Sequence, residues 1–172
     1  MSARRLYVIS GCSGGGKSTL IDALAETGHN VVREPGRRII AQGGPLPWDD
    51  MAGFAQAAIA MAEADYDAAR ALEGPVFFDR GLVDAVLALA HATGQQRDLT
   101  RIAQRPYAKP VFFAPPWQDL FANDEDRRHG FAEALAEHDR LARAYRSLGH
   151  TLTPLPKSSV AQRVALVVAK AL

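Results

Sequence analysis

The sequence has little of three features that would assign a protein to a class at once. It contains one cysteine, Cys12, so no internal disulfide can form and a reducing compartment is expected. No apolar run approaches the roughly 20 residues of a membrane span, and the run that follows residues 1–5 is too short for a signal-peptide core. The 20 basic and 19 acidic residues nearly cancel, which gives no electrostatic reason to expect a nucleic acid or a membrane surface as partner. We therefore expect a cytoplasmic protein.

What the sequence does have is the size and composition of one globular domain spanning residues 1–172, with 48% hydrophobic residues. Short apolar runs alternate with segments of helical spacing, which predicts an α/β domain whose parallel sheet is covered by helices on both faces. The predicted strands are 6–10, 30–34, 76–78, 111–114 and 151–155. The predicted helices are 17–27, 51–72, 82–91, 131–148 and a last one after the capping box of Ser159 and Gln162, with a charged loop at 117–130.

Residues 11–18 match the pattern G-x-x-x-x-G-K-[ST] at every fixed position. Glycines let the backbone curl so that successive N–H groups point at phosphate oxygens, and the following helix adds the positive end of its dipole. Lys17 places a charge near the β- and γ-phosphates, and the Ser18 hydroxyl can ligate Mg²⁺. The alternative, a glycine-rich turn with a chance lysine, is disfavoured by the strand before the loop and the helix after it. The predicted nucleotide-binding residues are Gly11, Ser13, Gly14, Gly15, Gly16, Lys17, Ser18 and Thr19.

Asp79 ends the third predicted strand, where a P-loop protein holds the shell of its Mg²⁺ ion. Strand ends in an open parallel sheet line the ligand crevice, so Asp79 is expected to face Lys17. The alternative is an aspartate that caps the next helix, and the two roles are compatible. Arg80 follows where motor ATPases carry a water-activating glutamate, which favours transfer to a bound acceptor over free hydrolysis.

The acceptor side is predicted around the end of the second strand. Glu34 lies there and could accept a proton from an acceptor hydroxyl, while Arg37 and Arg38 could bind an anionic group. A strand-end acid with two solvated arginines is the alternative. Arg80 and Asp84 complete the set of predicted substrate contacts.

The charged loop before the helix at 131–148 is a candidate lid. Such a loop can close over phosphates and deliver an arginine to the charge that develops during transfer, so Arg127 or Arg128 is a candidate catalytic residue. A solvated charge run is the alternative. The five histidines show no metal-ligand spacing, so we expect no zinc site, and His138 fits a packed position on an apolar helix face. Cys12 is interpreted as a variable loop residue rather than a nucleophile.

Several segments together resemble a family of small P-loop proteins that carry an AAA-domain label and are predicted ATPases or kinases. The segments span nearly the whole chain: GCSGGGKST, VVREPGRRII, VFFDRGLVD, VFFAPPW, NDEDRR and LPKSSVAQRV. The resemblance implies the five-stranded parallel core of P-loop kinases, in the order 2-3-1-4-5. It does not imply a ring-forming motor, because the chain has no room for the additional helical domain of those proteins.

A more distant likeness is to deoxynucleoside kinases, in which a Glu-Pro pair after strand two supplies the general base. Glu34-Pro35 matches that pair, and Asp79-Arg80 matches the acid-arginine pair after strand three. By the same analogy, the loop after strand five neighbours the nucleotide base, which adds Pro156 and Lys157 to the predicted nucleotide contacts.

The prediction from the sequence is therefore an enzyme that transfers phosphate from ATP, or alternatively GTP, with Mg²⁺ to a small-molecule acceptor such as a nucleoside or nucleotide. The phosphates are assigned to the P-loop, the metal to Ser18 and Asp79, and catalysis to Lys17, Glu34, Asp79, Arg80 and Arg127 or Arg128. A plain NTPase and a nucleotide-dependent switch are the two alternatives. The protein is expected to be a monomer or a homodimer.

Overall fold

A computed structural model describes residues 5–12, 14–117 and 130–172. The strands are β1 (Leu6–Gly11), β2 (Asn30–Val32), β3 (Val76–Asp79), β4 (Pro110–Ala114) and β5 (Thr151–Pro154). The helices of the described part are α1 (Lys17–Glu26), α2 (Pro35–Ala41), α3 (Met51–Ala69), α4 (Leu82–Thr93), α5 (Leu99–Gln104), α6 (Phe131–Ser147) and α7 (Val160–Ala171).

The five strands form one parallel sheet in the order β2-β3-β1-β4-β5, which confirms the predicted fold. Alternate residues of each strand point to opposite faces, and each face has its own apolar cluster. In β1, Val8 packs with residues of α3, α4 and α6, whereas Ile9 packs with residues of α1 and α7. Both faces of the sheet are therefore covered by helices, which explains why the central strands are apolar without alternation.

The structure differs from the predicted elements where short helices follow turn-like sequence. The second strand ends at Val32, and Pro35 then begins α2, with Glu34 as its N-cap residue. Proline suits the first turn of a helix because its missing N–H has no partner there in any case. The helix α5 was also missed, although its N-cap Asp98 accepts a hydrogen bond from the backbone N–H of Arg101.

The register of the sheet determines which side chains meet at the carboxyl-terminal ends of its strands. Ile9 lies opposite Asp79 on one side and opposite Phe112 on the other, and Gly11 lies opposite Ala114. The ends of β1, β3 and β4 therefore come together at the start of the P-loop. Within the described ranges, no helix is long and apolar enough to cross a membrane.

Candidate active site

The P-loop connects the end of β1 to the start of α1 and packs closely on the end of β4. Gly14 and Gly16 have left-handed φ angles of 89° and 73°, which turn the chain between strand and helix. A Cβ atom on Gly15 would lie 2.5 Å from the Cβ of Ala114, and one on Gly11 would collide with the Ala114 carbonyl oxygen. The glycines are thus required by the packing of the loop on β4 as well as by the curl of its backbone.

Lys17 begins α1 and is buried. Its Nζ donates a hydrogen bond to the carbonyl oxygen of Cys12, 2.7 Å away, so the ammonium lies over the loop that precedes it. Burial lowers the pKa of Lys17, as does the Arg80 charge, while the carboxylate of Asp79 opposes this shift. The lysine therefore lies against the P-loop backbone, as the predicted phosphate contact requires.

Ser18 and Asp79 lie together, as the prediction of a metal site requires. The Ser18 Oγ donates a hydrogen bond of 3.2 Å to the Oδ2 of Asp79. The other oxygen, Oδ1, is buried and has no hydrogen-bond partner among the described residues. Burial raises the pKa of Asp79. A hydroxyl beside a carboxylate with an unsatisfied oxygen fits the oxygen ligands that Mg²⁺ prefers, so these residues suit the metal.

Arg80 lies at the centre of a group of carboxylates. Its Nε is 3.5 Å from Glu34 Oε1, and its Nη1 is 3.2 Å from Glu137 Oε1 and 3.6 Å from Asp84 Oδ1. Burial alone would lower the pKa of Arg80, but the carboxylates of Glu137, Glu34 and Asp84 together raise it. The guanidinium is therefore a fixed positive charge beside both Asp79 and the predicted acceptor side.

The backbone of Arg80 is also unusual, because its φ of 65° is left-handed in a residue other than glycine. Its N–H donates to the carbonyl oxygen of Ile9, 3.0 Å away, and so extends the pairing of β3 with β1 by one residue. Such a conformation costs free energy and is often found at functional sites.

Glu34 is the predicted acceptor residue that lies beside the catalytic candidates. Its Oε2 is 3.5 Å from the Nε of the exposed Arg37, and its Oε1 contacts Arg80 as described above. Arg38 instead forms two hydrogen bonds to the carboxylate of Asp65 in α3. This ion pair ties α2 to α3, which differs from the predicted substrate contact.

Asp84 also has a role other than the predicted substrate contact. Its carboxylate is buried and accepts hydrogen bonds from Ser10 Oγ at 2.5 Å, from the Tyr145 hydroxyl at 2.5 Å and from the backbone N–H of Gly81 at 2.9 Å. With Arg80 also nearby, this carboxylate is occupied by groups of the protein itself. It therefore joins β1, the start of α4 and α6, and it helps to hold Arg80 in place.

Sequence reasoning missed Ser10, Tyr145 and Glu137. A weak signal existed for Glu137, because it lies three residues after Ala134 and four before Leu141, which are both buried in α6. An acid on the apolar side of an amphipathic helix needs a partner, and Arg80 is that partner. Ser10 and Tyr145 carried no comparable signal.

The remaining predicted residues fall into three groups. Ser13, Arg127, Arg128 and nearly all of the loop at 117–130 lie outside the described residues. Thr19 is exposed on α1, and Pro156 and Lys157 are exposed in the turn between β5 and α7. Cys12 is buried, and burial raises the pKa of its thiol. The His138 ring packs against Phe113 with centroids 4.8 Å apart.

Comparisons with known proteins identify the family of the chain and agree with its fold. A model of the AAA domain family matches residues 6–163. The chain belongs to this AAA-domain family. No curated protein matches the sequence. The AAA-domain chain is nevertheless similar in structure to solved kinases, although only 14–15% of residues are identical.

One such structure is deoxyadenosine kinase from M. mycoides with bound dATP, with a TM-score of 0.66, 14% identity and coverage of 96% of this chain and 98% of that chain. Shikimate kinase from Acinetobacter baumannii in complex with shikimate gives a TM-score of 0.56, 15% identity and coverage of 96% and 92%. Shikimate kinase from Aquifex aeolicus gives a TM-score of 0.59 and 14% identity, with coverage of 96% of this chain and 94% of that chain. At these identities the likeness shows the fold, which in this AAA-domain protein is that of P-loop kinases. Together with membership of the AAA-domain family, this fold makes the protein a P-loop enzyme of the kinase or NTPase type.

Proposed function

We propose that this protein is an Mg·ATP-dependent phosphotransferase that acts on a small-molecule acceptor. The observation that carries the proposal is the contact between Glu34 and Arg80 directly beside the pair of Ser18 and Asp79. A carboxylate that could take a proton and an arginine that could offset charge thus lie next to the metal-ligating candidates. A protein that only binds nucleotide does not need this combination.

The roles follow from the chemistry of phosphoryl transfer, in which positioning and electrostatics supply nearly all of the catalysis. The N–H groups of the P-loop and the Lys17 ammonium would hold the phosphates, and Ser18 with Asp79 would hold Mg²⁺. When bound, the metal would neutralise charge on the phosphate oxygens. Arg80 would stabilise the transferring group, since its carboxylate neighbours keep it charged and in one place.

Glu34 is the proposed general base for the acceptor hydroxyl. The side chain is partly exposed, at the N-terminus of α2, so an acceptor can reach it from solvent. Its two carboxylate oxygens contact the guanidinium groups of Arg37 and Arg80, which hold it close to the arginine that is proposed to stabilise the transferring group. The structural neighbours bind dATP in one case and shikimate in another, and among these we propose a nucleoside or nucleotide as the acceptor class because Glu34-Pro35 and Asp79-Arg80 match the deoxynucleoside kinase pattern.

Two alternatives remain as outcomes of the test. A plain NTPase needs a residue that activates water, and the position after Asp79 is occupied by Arg80 rather than by a glutamate. A nucleotide-dependent switch would bind the nucleotide without turning it over.

We further propose that the protein works in the cytoplasm as a monomer or a homodimer, with no nucleic acid or membrane as partner.

The experiment is to incubate the protein with γ-labelled ATP, Mg²⁺ and a pool of nucleosides, nucleotides and other small hydroxyl compounds, and to separate the labelled products. Wild type should transfer label to one class of acceptor. Glu34→Gln should lose most of this transfer but keep its affinity for nucleotide, and Glu26→Gln, an exposed acid on α1, should behave like wild type.

Phosphate release without any acceptor, undiminished in Glu34→Gln, would show an NTPase instead. Stoichiometric nucleotide binding without any turnover would show a switch. Either result would rule out the proposed transferase.

A further inference from the structure

Arg163 is a buried arginine that the roles proposed above do not use. It lies on the first turns of α7, four residues after the N-cap Ser159, and its side chain is only 6% exposed. Helix α7 packs against α1, where Val167 joins Leu20 and Ile21 in one apolar cluster. Arg163 is therefore buried on a helix that packs beside the one that begins at the P-loop.

The guanidinium of Arg163 lacks the partners that a buried charge requires. Its Nε and Nη1 are both buried and form no hydrogen bond to any described residue. Its Cζ lies 5.3 Å from the centroid of the Trp117 ring, which can stabilise the positive charge through the ring face. A ring face does not accept hydrogen bonds from donors in the plane of the guanidinium, so Nε and Nη1 stay unsatisfied.

One of these unsatisfied donors, Nη1, lies beside the phosphate-binding backbone. A Cβ atom placed on Gly16 would be 2.8 Å from Arg163 Nη1, so the guanidinium fills the space next to that glycine. Gly16 is the residue before Lys17 and the N-cap of α1. The Oγ of Ser158, five residues before Arg163, is a further buried polar atom without a partner among the described residues.

We propose that Arg163 is a second cationic ligand of the nucleotide, whose Nη1 donates to a phosphate oxygen held by the P-loop. The inference rests on the proposed function to the extent that the P-loop binds nucleotide. The cost of a buried, unpaired charge is then offset when the anion binds, because a phosphate oxygen supplies the acceptor that the folded chain lacks. The Trp117 ring faces the guanidinium without accepting its hydrogen bonds, which leaves the N–H groups of Arg163 available to the phosphate.

This role predicts opposite effects on stability and on binding, which a merely structural arginine would not give. Removing a buried charge that has no partner should stabilise the nucleotide-free protein. Removing a phosphate ligand should weaken nucleotide binding. An arginine that supports the P-loop by packing would instead lower the stability of the nucleotide-free protein when it is replaced.

The test uses Arg163→Met, which keeps an unbranched apolar stem but removes the charge, and Arg163→Lys, which keeps the charge. Lys170→Met is the matched control, because Lys170 is an exposed cation on the same helix. Thermal unfolding without nucleotide and calorimetric titration with Mg·ADP are measured on all four proteins. We expect Arg163→Met to unfold at or above the wild-type temperature and to bind Mg·ADP roughly ten- to hundredfold more weakly. The Mg·ADP affinity of Arg163→Lys should lie between those of wild type and Arg163→Met. Lys170→Met should match wild type in affinity.

Four results would overturn the inference. Unchanged Mg·ADP affinity in Arg163→Met would show that no phosphate contact is lost. A lower unfolding temperature without nucleotide would show a packing role. If Arg163→Met does not fold, full Mg·ADP affinity in Arg163→Lys would exclude a phosphate contact that depends on the guanidinium. Wild type that binds no Mg·ADP would overturn the proposed function together with this inference, whereas the first three results leave the proposed function intact.

Discussion

Arg80 and Glu137 form an ion pair in which Nη1 and Oε1 are 3.2 Å apart, and this contact connects the end of β3 to α6. The two residues are far apart in sequence, and each lies on an element that also contributes to the Asp84 network. The position of α6 is therefore linked to the position of the arginine that is proposed to stabilise the transferring phosphate. Because Arg80 contacts three carboxylates, the loss of Arg80 should change the positions of side chains throughout the site.

Replacing Arg80 should destabilise the fold far more than replacing one of its partners. Arg80→Met leaves the carboxylates of Glu34, Asp84 and Glu137 close together without a cation, so we expect a loss of about 3–5 kcal/mol in the free energy of unfolding. Glu137→Gln removes one partly exposed partner and should cost about 1 kcal/mol. Urea unfolding measures both.

A suitable control is Arg101→Met, because Arg101 pairs with Glu63 and Asp98 at a much more exposed site. This change should cost under about 1 kcal/mol. Equal losses in Arg80→Met and Arg101→Met would contradict the importance given to the buried group.

The hydroxyl of Tyr145 should contribute measurably to stability. Tyr145→Phe leaves the buried Asp84 carboxylate without one of its three hydrogen-bond donors, so we expect a loss of about 1.5–3 kcal/mol. Tyr66→Phe is the comparison, because that hydroxyl donates to the neutral carbonyl oxygen of Pro106. It should cost about 0.5–1.5 kcal/mol in the same unfolding experiment. If Tyr66→Phe were the more costly change, Asp84 would not be the centre of the network.

The first glycine of the P-loop should be intolerant of a side chain for a reason independent of nucleotide. A methyl group on Gly11 would overlap the Ala114 backbone oxygen, and its φ of 126° is unfavourable for other residues. We expect Gly11→Ala to cost about 2–4 kcal/mol without any ligand. Gly28 also has a positive φ, of 86°, but has open space around its Cα, so Gly28→Ala should cost about 1 kcal/mol. Similar unfolding temperatures for the two variants would argue against the close packing of β1 on β4.

Asp79 should be needed for the effect of Mg²⁺ rather than for nucleotide binding itself. Asp79→Asn keeps the shape of the side chain but removes the charge that a hard cation prefers. In calorimetry, ADP affinity in the presence of EDTA should change by less than about threefold, whereas the gain in affinity on adding Mg²⁺ should disappear. Asp49→Asn, at an exposed position, should keep that gain. If Asp79→Asn kept the full gain in ADP affinity on adding Mg²⁺, the metal would bind to other residues.

The thiol of Cys12 should react slowly in the folded protein. Its pKa is raised by burial, so a smaller fraction is thiolate at any given pH than in the unfolded chain. We expect labelling by a disulfide reagent at pH 8 to be roughly a hundredfold slower than in urea, and its rate to keep rising to a higher pH than in the unfolded chain. Rapid labelling of folded protein at pH 7 would show an accessible thiolate instead.

Local patterns were sufficient to predict the parts of this protein that are encoded locally. The P-loop, β3 with Asp79 and the amphipathic α6 each follow from spacing within one segment, whereas the strand order came from the family resemblance. The helix α2 was missed because Pro35-Gly36 is also typical of a turn, and α5 because it has only six residues.

The network around Asp84 could not be predicted because its contacts join residues that are far apart in sequence. Ser10 and Asp84 are separated by 74 positions, and Asp84 and Tyr145 by 61. Nothing within a single helix or strand indicates such a contact.

The burial of Arg163, in contrast, did have a local signal in the sequence. Arg163 lies four residues before the buried Val167 on α7 and so shares its face.

The outer strands of the sheet have a consequence for how copies of this protein can meet. β2 has three residues and β5 has four, and the last of these, Pro154, has no N–H with which to extend a ladder. Edges this short offer a second chain few backbone groups to pair with, so edge-to-edge aggregation is discouraged. Self-association, where it occurs, would therefore use helical surfaces and leave the carboxyl-terminal ends of the strands accessible to ligands.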